Sequence, residues 1–191
     1  MIRQAELADF EAITHIREST ALDVDRIGDA DYRVHIQRSG FLLPTDLRIE
    51  DFQTDLPNYS VAERKGQVAG YLCLSATQGM ALETGEASTW LRPDLKDIYF
   101  SNPHAYIYGL GVLPEAKHQG IATEMLQVAE RQVRLQHISW LFSAIVTSPV
   151  TNCASMLFHE KNGFERVALT RPAQELGMKE FQNLYYGKRL S

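Results

Sequence analysis

The residues best suited to chemistry lie in the run Val112-Leu113-Pro114-Glu115-Ala116-Lys117-His118-Gln119-Gly120-Ile121-Ala122-Thr123. Gly120 and Ala122 sit two apart where a strand-like apolar pattern gives way to a helical one. Small residues at such a junction let main-chain N–H groups approach a ligand closely, and the first helical turn leaves its donors without intrahelical acceptors. Those donors, with the positive end of the helix dipole, make an anion site that suits a pyrophosphate. Lys117 and His118 would add positive charge. Taken alone, the Gly-x-Ala pair also fits a plain tight connection between strand and helix. The dinucleotide pattern Gly-x-Gly-x-x-Gly and the Walker pattern ending in Gly-Lys-Ser/Thr are absent from the chain.

A second constellation follows. Asn152 and His159 are seven residues apart, which places them two turns apart on one helix face, with Ser155 between them. The other side carries Ala154, Leu157 and Phe158, and Gly163-Phe164 comes next. In isolation this polar stripe reads as the solvated side of an amphipathic helix. Cys153 has no marked His or Asp partner and reads as a small helix residue rather than a nucleophile. The 6 histidines show no metal-ligand spacing of the His-Glu-x-x-His kind, so no metal is expected.

The elements that must hold these groups follow from periodicity. Residues 105–113 read as a strand. Residues 119–136 read as a helix, with Ala122, Leu126, Ala129 and Val133 on one face and Glu124, Gln127, Arg131 and Arg134 on the other. Residues 139–147 read as a buried strand. Strand, helix and strand in this order imply a βαβ crossover and a parallel pair. Residues 152–161 form a second predicted helix that ends at Gly163, and 164–170 and 183–190 read as closing strands. Upstream, residues 1–4 suit a short strand and Asp9 precedes a helix bearing Phe10, Ile13 and Ile16. Residues 31–38 and 45–55 look helical, the latter with Thr45 as N-cap. Residues 59–64 and 68–76 read as a β-hairpin turning at Gly66. Residues 78–103 lack periodicity and read as a long loop or insertion, in which Trp90, Tyr99 and Phe100 are unusual.

Composition sets the outer bounds. With 191 residues, 45% hydrophobic and 23% charged, the chain suits one globular domain spanning 1–191. Its net charge of -5 and scattered Lys and Arg argue against a nucleic-acid partner. The longest apolar runs, such as 140–146, fall far below the roughly 20 residues a bilayer span needs, so no membrane partner is expected. The start of the chain has no apolar export core, which predicts a cytoplasmic protein with Cys73 and Cys153 reduced.

Taken together, the segments across residues 107–164 resemble the GNAT superfamily of acyl-CoA-dependent N-acetyltransferases. The family's Arg/Gln-x-x-Gly-x-Gly/Ala appears as Lys117-His118-Gln119-Gly120-Ile121-Ala122. Its later helix, Asn-x-x-Ala-x-x-Leu-Tyr-Glu-Lys-x-Gly-Phe, appears as Asn152-Cys153-Ala154-Ser155-Met156-Leu157-Phe158-His159-Glu160-Lys161-Asn162-Gly163-Phe164. Lys117 stands where Arg or Gln is usual. His159 stands where a Tyr commonly serves as general acid.

The resemblance implies an α/β (α+β) fold: a mixed, mostly antiparallel central sheet with helices on both faces. Its parallel pair, 105–113 and 139–147, would splay apart. The pantetheine arm of acetyl-CoA would enter that gap and pair with the edge at Leu110, Gly111 and Val112, where a main-chain N–H would face the developing oxyanion. Lys117, His118, Gln119, Gly120, Ile121, Ala122 and Thr123, with Asn152 and Ser155, would hold the cosubstrate. His159 would be the proton donor or merely help hold the cofactor. Tyr108, counted by twos from Val112 through Leu110 and on to Tyr106, would position water or substrate, and His104 and Glu115 are weaker base candidates. The acceptor, a small-molecule primary amine, would sit between 22–57 and 78–103, where Glu83, Glu86, Asp94 and Asp97 could attract it or merely solvate a loop. A protein or peptide acceptor and a non-catalytic acyl-CoA-binding sensor are the alternatives. The protein would be a monomer or homodimer.

Overall fold

A computed structural model describes residues 1–77, 88–101 and 103–190. The chain opens with β1 (Ile2–Gln4) and continues through α1 (Phe10–Thr20), α2 (Ala30–Ser39) and α3 (Ile49–Asp55). A hairpin follows, β2 (Tyr59–Arg64) and β3 (Gln67–Thr77), then β4 (Ser88–Trp90) and α4 (Lys96–Ser101). The crossover is β5 (His104–Val112), α5 (Ile121–Leu135) and β6 (Trp140–Ser148). It is followed by α6 (Cys153–Lys161), β7 (Glu165–Thr170), β8 (Ala173–Glu175) and β9 (Met178–Arg189). The strands join in the order β1-β2-β3-β5-β6-β9-β7-β4, with β8 on β9, and all these pairings are antiparallel except β5 with β6. The hairpin turns where expected: Lys65 and Gly66 have φ of 52 and 78, a two-residue loop whose twist matches its strands.

Helices cover both faces. α5 sets Ile121, Met125 and Ala129 on Ala62, Ala69 and Leu72. Further along, its Leu126 and Val133 pack with Ala105, Ile107, Leu141 and Ile145. On the opposite face α1 buries Ile13 and Ile16 against Val61, Tyr71 and Cys73. α4 brings Tyr99 onto Tyr106, Phe142 and Val167. The mixed sheet and its flanking helices agree with the fold class expected from sequence.

Local expectations needed correction at four places. α3 begins at Ile49 after Arg48, so Thr45 is not its N-cap; the Thr45 hydroxyl accepts from Arg17 instead. The part of 78–103 that is described is no bare loop, because β4 and α4 lie in it. Trp90, Tyr99 and Phe100 pack there edge-to-face at 5.4 to 6.1 Å. Glu83 and Glu86 lie outside the described residues. β9 starts at Met178, well before 183, and β8 pairs with it.

The fourth correction bears on the site. β3 pairs Leu74 with Ile107 and Cys73 with Gly109, so Tyr108 is the extra residue of a β-bulge. Counting by twos therefore crosses faces at this point. Leu110 packs on the α5 side, whereas Tyr106 packs with Tyr99 and Phe142 on the other. Gly111 is needed for close approach: a Cβ there would lie 2.7 Å from Tyr71 Cε1 and 2.9 Å from Ile16 Cγ2. The α1 face thus lies almost directly on the β5 backbone.

Candidate active site

The parallel ladder between β5 and β6 is only three residues long: Ala105 with Leu141, Tyr106 with Phe142 and Ile107 with Ser143. Past it the strands part, each held by its other neighbour, β5 by β3 and β6 by β9. The Leu113 N–H donates to Ala69 O at 2.9 Å, toward β3. Because backbone groups alternate along a strand, Leu110 and Val112 turn theirs toward the gap. The gap is the middle of a cleft of about 610 Å³, with Ser143, Ala144, Ile145 and Val146 on its far wall.

One end of the cleft is a cradle of donors. Gly120, the N-cap of α5, has φ 80, and His118 has φ 63. Both left-handed positions turn the main chain so that its amides converge. Among the described residues no protein acceptor takes the N–H of His118, Gln119, Gly120, Ile121, Ala122 or Thr123. The first of the run to be bonded is Glu124, whose N–H reaches Gly120 O at 3.0 Å. Lys117 lines this end, half-buried, with Nζ donating to Ser39 O at 2.7 Å; burial lowers its pKa. Its ammonium keeps two further protons for an anion. Gln119 does not line the cleft, and its side chain folds back to Glu115 O at 3.2 Å. Arg38 lines it and has no ion partner among the described residues. Sequence analysis had missed this residue, whose only signal was a cation in the last turn of α2.

Residues 38–45 form a strap over the cleft, tied down by three side chains. Lys117 binds Ser39 O, Asn152 Nδ2 donates to Phe41 O at 2.8 Å, and Arg17 Nη2 donates to Thr45 O at 2.9 Å. Main-chain bonds Leu42 N–H to Thr20 O and Leu22 N–H to Leu42 O, both 2.9 Å, fix it to the end of α1.

The polar stripe of α6 is not solvated, because the strap covers it at Asn152 and Phe164 and Tyr186 cover it at His159. Asn152 is 6% exposed and His159 3%, whereas Leu157 on the expected apolar side is 55% exposed. Asn152 Oδ1 accepts the Ser155 N–H at 3.2 Å, an N-cap, so both ends of this amide serve the protein. The stripe thus runs along the cleft wall, with Asn152, Ser155 and His159 all lining it. A cleft between parted parallel strands, closed at one end by free amides, is what an extended thioester with a diphosphate requires.

The acetyltransferase (GNAT) family matches residues 23–164. The chain belongs to the GNAT family. GNAT enzymes take their acetyl group from acetyl-CoA, and the free amides and open strand edge of this member fit that cosubstrate. No curated protein matches the chain. Solved structures share its fold, each aligned over 100% of this chain. The ribosomal-protein-S18-alanine N-acetyltransferase from Escherichia coli is 13% identical with TM-score 0.64 over 94% of its own length. An N-acetyltransferase from Staphylococcus aureus is 19% identical with TM-score 0.64 over 98%. Naa20 from Chaetomium thermophilum, solved with a bisubstrate analogue, is 14% identical with TM-score 0.67 over 86%. No helix among the described residues is long and apolar enough to cross a membrane.

In this GNAT enzyme His159 does not match the expected proton donor. Its Nδ1 lies 2.8 Å from the Ser155 carbonyl, so the proton sits on Nδ1 and leaves Nε2 as a bare lone pair. Nε2 is buried and has no protein partner. Burial pushes the imidazole pKa down to about 4, so the ring is neutral at pH 7. A neutral ring with this tautomer accepts at Nε2 and donates nothing there. The same burial links His159 to stability. The unfolded chain, with an ordinary histidine pKa near 6.5, takes up a proton that the folded chain refuses until about pH 4. Stability is therefore complete above about pH 6.5 and falls as pH drops toward 4. Between pH 7 and 5 the parent is expected to lose about 2 kcal/mol more than His159→Phe in urea unfolding. Parallel pH profiles for the two proteins would contradict the buried neutral ring.

The other candidates separate clearly. Tyr108, on the bulge, is 51% exposed at the cleft mouth, its ring 4.8 Å from that of Tyr106. Burial pushes the Tyr106 phenol well above its ordinary value, which rules it out as a base, and it shares a hydrogen bond with Tyr185. His104 stacks on Tyr99 in the core and Glu115 is exposed, and neither lines the cleft. Asp94 pairs with Arg92, and neither Asp94 nor Asp97 lines the cleft. The charge on the cleft's α1 side is Arg17, which sequence analysis had not singled out.

Proposed function

We propose that this enzyme moves an acetyl group from acetyl-CoA directly to a primary amine of a small molecule in the cytoplasm. The observation that carries the reading is the run of free amides at 118–123 opening onto the unpaired edge of β5. The amides, with Arg38, Lys117 and His118, hold the diphosphate. Leu110 and Val112 pair with the pantetheine arm. Acetyl-CoA, when bound, supplies a thioester: the amine forms the N–C bond, the C–S bond breaks, and one nitrogen-bound proton ends on the released thiol.

The chain's residues do the rest. A main-chain N–H at Leu110 or Val112 faces the carbonyl oxygen as charge develops on it. Tyr108 holds a water that takes the proton from the incoming amine, which is mostly ammonium at neutral pH. His159 Nε2 accepts a hydrogen bond inside the cleft and helps fix the cosubstrate. One of these fold neighbours is named for an alanine of a ribosomal protein, so a peptide α-amine is the second reading.

A CoA-release assay over small amines, amino acids and N-terminal peptides tests this directly. Turnover with small amines is expected, and Tyr108→Phe should lower kcat by about tenfold or more while leaving acetyl-CoA affinity intact. Acetyl-CoA binding without CoA release from any amine would leave only the non-catalytic binding module.

A further inference from the structure

Among the described residues lining the cleft, Arg17 is the one charged group that the cosubstrate does not account for. It comes from α1, on the sheet face opposite α5 and its donor cradle. Its Nη1 lies 3.3 Å from Tyr71 Oη. That hydroxyl in turn lies 3.1 Å from where a Cβ on Gly109 would be, so the guanidinium stands over β5 where the splayed edge begins. The diphosphate end is served from the other side by Arg38, Lys117 and His118.

The surroundings of Arg17 do not neutralise it. Its protein partners are the Thr45 carbonyl, the Thr45 hydroxyl and the Tyr71 phenol, all neutral. Its Nε is buried without a partner. No Asp or Glu pairs with it among the described residues, and none of the described residues lining the cleft is acidic. A partly buried cation without a counter-ion is costly to keep. Among the described residues the cleft thus offers no acid to a purely cationic amine such as a diamine, which Arg17 would repel.

Resting on the transferase reading above, we infer that the acceptor is an amine that also carries a carboxylate, an amino-acid-like molecule whose anionic group pairs with Arg17. The planar guanidinium suits a carboxylate, and its fixation by Thr45 and Tyr71 preorganises it. Holding the carboxylate on the α1 side leaves the amine free to approach the open edge at Leu110.

The experiment compares matched pairs, each an amino acid and its C-terminal amide, in the CoA-release assay, with rates referred to the concentration of free amine. Acetyl-CoA affinity is measured separately by calorimetry. The parent should prefer the acid member by about tenfold or more in kcat/KM. Arg17→Gln should erase that preference, and Arg17→Lys should restore part of it. Acetyl-CoA affinity should stay the same in all three proteins. Equal or better use of the amides by the parent overturns the inference, and so does a preference that survives Arg17→Gln. Acetyl-CoA binding with no turnover of either member overturns it too. Failure of the parent to bind acetyl-CoA at all would instead overturn the transferase reading beneath it. The parent's own preference stands as a test even if a variant folds poorly.

Discussion

Replacing Gly120 by Glu is expected to weaken acetyl-CoA binding about a hundredfold or more while leaving the chain folded. Nothing lies within 4 Å of a Cβ built on Gly120, so the longer side chain has room. Its φ of 80 makes any side chain strained, by about 1 to 2 kcal/mol. The added carboxylate would sit among amides that have no other acceptor. It would serve as their internal cap and repel the diphosphate from the same donors. Gly120→Ala separates these effects, because it carries the backbone strain without the charge. The alanine variant should bind acetyl-CoA within about fivefold of the parent. Calorimetry decides the matter: if the two variants bind alike, the amides are not the anion site.

Asn152→Ala should cost about 2 to 4 kcal/mol in urea unfolding, the largest stability effect expected from a single cleft residue. The substitution removes the N-cap of α6, worth about 1 kcal/mol. It also strips Phe41 O of a buried donor, which adds about 1 to 3 kcal/mol. Asn152→Ser divides the two, since a hydroxyl can cap the helix without reaching the strap. It should recover about 1 kcal/mol and no more. An alanine variant as stable as the serine variant would mean that the cap contributes nothing. Full recovery by serine would mean that the bond to Phe41 is idle.

What could be read from the sequence was set by neighbours in the chain. The turn at Lys65-Gly66, the crossover from β5 through α5 to β6, and the left-handed Gly120 and Gly163 all depend on residues within a few positions of one another. The family resemblance rested on two such runs. The misreadings involve partners far away in sequence. The stripe of α6 looked solvated because its cover at Asn152, Phe41, lies 111 residues away. The faces of β5 were misassigned because the bulge at Tyr108 is imposed by pairing with β3, which leaves no mark in an alternating pattern. Thr45 looked like a helix cap because a hydroxyl beside Asp46 suits one; Arg17 claims it from 28 residues away. Arg17 itself cannot be told in sequence from any other helical arginine; what marks it is a cleft with no acid among its described lining residues.

The strap has a further consequence. Its Ser39 end is tied to Lys117, proposed above to hold the diphosphate, and its Thr45 end to Arg17, inferred above to meet the acceptor. A molecule bound at either end would restrain the same short stretch of backbone, and the second to bind would have less of it left to order. Each substrate should then raise the affinity for the other by an equal factor, as reciprocity requires. Steady-state lines for this enzyme should thus intersect, with the apparent KM for amine falling as acetyl-CoA rises.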